Sequence, residues 1–155
     1  MKQNKVKTYI LNIMLAELTG AIAGFLTKEG TKAFKYMAKP KLTPPAAIFP
    51  IAWSILYLLM GIGISRIELL PQNTQKAQTV YMIQLGMNFL WSIFFFNMQA
   101  YGFAFLWLVI LLALIIVMVV LFYSKDKTAA ILQLPYLFWV AFAGYLNYGV
   151  WMLNK

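Results

Sequence analysis

The chain has 155 residues, 63% apolar, 17% aromatic and 11% charged, with a formal charge of +9 and neither cysteine nor histidine. Against the roughly 45–50% apolar and roughly 25% charged residues of a soluble domain, this composition and a mean hydropathy of +0.75 describe an integral membrane protein. It excludes disulfides, zinc and iron–sulfur sites, Ser-His-Asp catalysis and the usual His or Cys ligand of haem; with its basic residues scattered between apolar blocks, no nucleic-acid partner is expected either.

A membrane span needs about 20 mostly apolar residues, because the hydrocarbon is about 30 Å thick and a helix rises about 1.5 Å per residue. Five segments qualify: 6–27, 46–67, 79–99, 103–123 and 128–153. The runs are long and do not alternate, which fits helices rather than barrel strands. The expected fold is all-α, one domain over 1–155, a bundle of five transmembrane helices.

The first span is too long for a signal-peptide core and lacks a small-residue cleavage site, so it is kept as a helix. Glu17 lies near its middle. An acid there marks function or a hydrogen bond to a neighbouring helix. Glu29, Glu68 and Asp126 lie at or beyond span ends, leaving Glu17 no intramembrane partner for a proton relay. Ala16, Gly20 and Gly24 form a small-residue row that allows close helix approach, within the bundle or to a second protomer.

The connection 28–45 is long and basic, with Lys28, Lys32, Lys35, Lys39 and Lys41 against Glu29. Its middle, 31–37, suits a short interfacial helix. Pro44-Pro45 suits a helix start, and Pro50 predicts a kink in the second span.

Trp53, Tyr57 and Gly61 share a face of the second span, and Gln84, Asn88, Trp91 and Ser92 share one of the third. The fourth span is almost purely aliphatic from Leu106 to Leu121 and carries no such stripe. In the fifth, Trp139, Ala143, Leu146 and Asn147 align, and Pro135 predicts a kink that widens a cavity. Rings beside amides, hydroxyls and small residues suit a pocket for a flat, mostly apolar ligand. The same residues also suit interhelical packing, with Asn88 and Asn147 as hydrogen-bond glue. Counting Lys2, the two membrane faces carry seven and six basic residues, so the positive-inside rule sets no orientation.

Three ordered motifs carry a resemblance. Thr43-Pro44-Pro45, Phe49-Pro50, Trp53, Leu56-Tyr57 and Met60-Gly61 form the first. Asn88, Trp91-Ser92 and Phe95-Phe96 form the second. Pro135-Tyr136, Trp139, Phe142-Ala143 and Leu146-Asn147 form the third. Together they resemble the translocator protein family, also called tryptophan-rich sensory proteins (TspO/MBR), over essentially the whole chain.

The resemblance implies a five-helix bundle, commonly a homodimer, with a ligand cavity capped by the first loop. It implies binding of porphyrins such as protoporphyrin IX and haem, held as ligands, with no cofactor required and no metal site. Membrane lipid is the other partner, and a bacterial cell membrane is the implied location. Carried over by position, the ligand-binding residues are Phe34, Pro44, Trp53, Tyr57, Asn88, Trp91, Ser92, Trp139, Ala143 and Leu146. Leu42 and Ala33 stand where relatives often have tryptophan. Met152 stands where the sterol motif of mitochondrial members needs a basic residue, so cholesterol binding is not expected.

The primary expectation is therefore a porphyrin sensor, carrier or scavenger. Lys39 or Lys41 would meet propionates, or alternatively lipid headgroups. One alternative is an enzyme-like, light- and oxygen-dependent breakdown of protoporphyrin, with Trp53 and Trp139 as candidates. Another is a transporter, against which stand the lack of a repeat and the lone buried acid.

Overall fold

The computed structural model describes residues 4–155; Lys2, counted above, lies outside them. All five expected spans are helices. Helix α1 runs Lys5–Leu26, α2 Lys28–Phe34, α3 Ile48–Glu68, α4 Gln75–Ser92, α5 Tyr101–Tyr123, α6 Lys127–Ile131 and α7 Leu134–Leu153. Helix α4 continues without a break into a π-helical segment, Ile93–Asn97. Helices α1, α3, α4 with its extension, α5, and α6 with α7 are each long and apolar enough to cross a membrane.

The neighbours form a closed order: α1 against α3 and α4, α5 against α4 and α7, and α3 against α6 and α7. Lipid tails are as apolar as the side chains, so close packing and hydrogen bonds must hold this arrangement. Between α1 and α3 the fit comes from small residues. Ala16 is fully buried, and a side chain on Gly61 would strike the backbone of Ile13. The opposite face of α1, with Ile10, Met14, Leu18, Ile22 and Phe25, is exposed.

Helix α5 carries a seam that its composition hides. Ala104, Leu108, Leu111, Ile115, Met118 and Phe122 are buried, at alternating spacings of four and three residues. That spacing is the one that keeps a helix face against its neighbours.

The prolines act otherwise than expected. Pro50 is the third residue of α3, where a backbone N–H has no intrahelical partner to lose, so no kink follows. Pro135 does not kink a continuous helix. The expected fifth span divides at Leu132 and Gln133, and Pro135 sits in the first turn of α7. Its ring would clash with the carbonyl four residues back, and it has no N–H to donate. The short helix of the first loop begins at Lys28, three residues ahead of the expected place. The Thr27 carbonyl accepts the Thr31 N–H and hydroxyl at 2.8 and 2.9 Å, which starts the helix there. Residues 35–37 form a tightened turn, with bonds from Lys35, Tyr36 and Met37 three residues back.

The two ends of the bundle are built differently. At the end holding the N-terminus, the interior is solid: Met60, Ile67, Tyr81, Met118, Phe122 and Tyr136 are all buried. Polar ties fasten that end. Asn12 Nδ2 donates to Glu68 at 2.8 Å and to Ser65 at 3.2 Å. Arg66 pairs with Asp126 at 2.8 Å, and Asp126 also caps α6 through the N–H groups of Thr128 and Ala129. At the opposite end the interior is open, and α2 with the rest of the first loop covers it.

Candidate functional site

The cavity lies between α1, α3, the end of α4 and α7, beneath the first loop, and holds about 1130 Å³. Small-molecule pockets usually span about 300–1,000 Å³, so this one has room for a large ligand. Of the ten ligand-binding residues expected from sequence, nine line it: Phe34, Pro44, Trp53, Tyr57, Trp91, Ser92, Trp139, Ala143 and Leu146.

Asn88 does not. Its side chain is buried behind the wall, where Nδ2 donates to the Tyr136 hydroxyl at 3.1 Å. That hydroxyl donates to Gln84 Oε1 at 2.7 Å. The hydrogen-bond-glue role offered for Asn88 is therefore the one the geometry gives it. The reason is positional: Asn88 lies one turn nearer the solid end than Trp91, level with Tyr136 rather than with the opening. Asn147 is glue as well, at the edge of the cavity. Its Oδ1 accepts the Trp91 indole N–H at 3.0 Å, and its Nδ2 donates to the Tyr101 carbonyl at 2.9 Å. The first bond fixes the Trp91 ring.

The rings form two groups. Trp53 stacks on Tyr57 at 5.5 Å and meets Tyr136 and Trp139 edge-on at 6.3 and 6.5 Å. Phe49 meets Trp139 at 6.0 Å. Across the cavity, Trp91 stacks on Phe95 at 5.3 Å, and Phe34 reaches down from α2 to Phe95 and Phe96 at 5.6 and 5.7 Å. Such ring pairs add about 0.5–1.5 kcal/mol each beyond the area they bury, so the rings hold one another in place.

Sequence reading did not include Phe49, Phe95, Phe96 and Phe142 among the site residues, although all four line the cavity and stand in the quoted motifs. Phe95 and Phe96 lie four residues beyond Trp91 and Ser92 and continue the face named for that helix. Met98 N–H bonds five residues back to Ile93 at 3.0 Å, which widens the turn and brings Phe95 and Phe96 round toward the loop. Glu17, Gly20, Gly24 and Ser54 also line the wall, so the small-residue row faces α3 and the cavity of its own chain.

The loop is pinned at several points. Asn154 Nδ2 donates to the Ala38 carbonyl at 2.9 Å, and Asn97 Nδ2 donates to the Leu26 carbonyl at 3.0 Å. A Cβ on Gly30 would strike the Phe96 carbonyl, and one on Gly149 would strike the Pro40 ring. These glycines let the loop lie directly on the π segment and on α7. Of the lysines expected at the mouth, Lys39 lines the cavity, with Lys28, Lys32 and Lys35; Lys41 does not. Lys39 Nζ lies 5.2 Å over the Phe34 ring and donates to the Lys35 carbonyl at 2.8 Å.

The chain is similar to known proteins over most of its length. The model of the TspO/MBR family matches residues 12–152. Protein CrtK of Rhodobacter capsulatus is 36% identical over 121 residues, 76% of each chain. Tryptophan-rich protein TspO of Archaeoglobus fulgidus is 33% identical over 147 residues, 94% of this chain and 95% of its own. The translocator protein of Homo sapiens is 32% identical over 150 residues, 93% of this chain and 89% of its own.

Proposed function

Since the chain belongs to the TspO/MBR family of integral, multi-pass membrane proteins, we propose that it binds porphyrins or related tetrapyrroles in the cavity beneath the first loop. One observation carries this reading: a single cavity joins a wall of rings, among them Trp53, Tyr57, Trp91 and Trp139, to a mouth lined by Lys28, Lys32, Lys35 and Lys39. A porphyrin has the complementary form, a flat apolar macrocycle with carboxylates on one edge. The rings would stack on the macrocycle. The ammonium groups would meet the propionates through charge-assisted hydrogen bonds. Ser92 offers a further hydroxyl within the wall.

The grip is expected to come from stacking and charge, since without histidine or cysteine an iron ligand would have to be Tyr, Met or Lys. Metal-free protoporphyrin IX is therefore expected to bind about as tightly as haem, within a few fold. Titration of the detergent-solubilised protein with both, read by tryptophan quenching and by the haem absorption spectrum, tests this. A haem affinity far above that of protoporphyrin, with an axial-ligand spectrum, would contradict it.

A second reading, light- and oxygen-dependent breakdown of bound protoporphyrin, is favoured by the edge contact of Trp53 and Trp139 on the cavity wall. Under illumination, a product lost in Trp53→Phe or Trp139→Phe with binding retained supports it. Bleaching no different from free porphyrin with albumin contradicts it.

A further inference from the structure

Glu17 is the acid that the porphyrin reading leaves without a task. It is the thirteenth residue of the 22-residue helix α1, well inside the span. A carboxyl group at that depth is costly and is retained where it meets a partner or a polar cavity. Its one side-chain hydrogen bond comes from Ser54 Oγ at 3.4 Å, the long limit of such a contact. Among the described residues, no lysine or arginine forms a salt bridge with it.

Both Glu17 and Ser54 line the cavity. One turn along α1, Gly20 lies against the Tyr57 ring, and two turns along, a side chain on Gly24 would meet open space. Helix α1 thus lines its share of the wall with little bulk and one acid at the inner end. From Glu17 to Leu26 the helix climbs about 14 Å, and Lys28 and Lys32 stand beyond. The cavity therefore runs from a cationic mouth, past aromatic walls, to an acid.

We infer that Glu17 is a polar anchor at the inner end of the cavity, selecting ligands that carry a cationic amine or other N–H donor remote from their anionic edge. This rests on the cavity being a ligand site, as proposed above. The favoured class is a flat apolar ring system with carboxylates on one edge and an amine on the other. A carboxyl group held by one long hydrogen bond gains a partner when such a ligand binds, whereas a neutral ring leaves it with Ser54 alone.

Two flat probes differing in one group test this on the full-length protein in detergent: pyrenylmethylammonium and pyrenylmethanol, with binding read by energy transfer from tryptophan. The ammonium is expected to bind wild type at least about tenfold more tightly than the alcohol, and that advantage falls below about twofold in Glu17→Gln. Should the Gln variant not fold, Glu17→Asp retracts the carboxylate by one methylene and lowers the advantage at least about threefold. Equal binding of the two probes to wild type, or an advantage that survives in the variant used, overturns the proposal. A parallel titration with protoporphyrin IX separates the two readings. Saturable protoporphyrin binding without ammonium preference overturns the anchor alone. Ammonium preference without protoporphyrin binding supports the anchor and contradicts the porphyrin reading.

Discussion

Asn88 and Trp139 both stand in the motifs, but only Trp139 reaches the cavity. Asn88 is buried in a chain of side-chain hydrogen bonds with Tyr136 and Gln84, while Trp139 presents its ring to the cavity. Replacing Asn88 with alanine leaves the Tyr136 hydroxyl short of a donor and opens a small void, so a loss of about 1–3 kcal/mol in stability is expected. Ligand affinity should stay within a few fold. Thermal unfolding in detergent beside tryptophan quenching checks both, and a large affinity loss with unchanged stability would contradict the assignment. Trp139→Phe should show the reverse pattern, weaker binding with little loss of stability. Asp126 governs a different property. Partial burial raises its pKa, but the hydrogen bond and charge of Arg66 and the N–H groups of Thr128 and Ala129 outweigh that and hold it below its ordinary value. A depressed carboxylate stabilises the fold above its unfolded pKa of about 4, and that contribution is lost as pH falls through the lower folded value. The wild-type melting temperature should therefore fall more steeply than that of Asp126→Asn between about pH 4 and pH 2. Parallel slopes would contradict this.

Among the elements, the spans were legible because twenty or so apolar residues admit few alternatives in lipid. Finer features depend on which of two equally apolar faces meets a neighbour. The buried seam of α5, from Ala104 to Phe122, is invisible in a helix whose outer face is just as aliphatic. The π segment was hidden for a different reason: it adds a residue to one turn without any proline or glycine to announce it. That turn matters because the short helix α2 rests on it. Gly30 allows the contact, and a methyl group there would meet the Phe96 carbonyl, a backbone atom with little freedom to move. Gly30→Ala is therefore expected to cost about 1–3 kcal/mol and to loosen the loop. Hydrogen exchange at Lys28–Phe34 is the direct readout, with faster exchange expected than in wild type. Unchanged exchange and unchanged melting would show that the loop does not depend on this contact.

At the scale of the whole molecule, one end of the bundle is solid and tied by polar contacts, while the other is hollow and covered. Nine of the ten residues expected from sequence line the hollow end: Trp53, Tyr57, Trp91, Ser92, Trp139, Ala143 and Leu146 stand at helical spacing, which marks a face, while Phe34 and Pro44 follow from the family resemblance alone. Phe49, Phe95, Phe96 and Phe142 sit three or four residues from Trp53, Trp91, Ser92 and Trp139 and were within reach of the same spacing, whereas Glu17 and Ser54 needed the position of a second helix before their face could be known. This hollow end is the proposed ligand site. Ala143 lies on its wall, so a phenylalanine there would add bulk where a ligand needs space. The most direct measurement is tryptophan quenching by protoporphyrin IX in wild type and in Ala143→Phe, with thermal unfolding confirming that the variant folds. Saturable quenching in wild type, with affinity at least about tenfold weaker in the variant, is the predicted result; equal affinity in the two proteins, or quenching that never saturates in wild type, would contradict it.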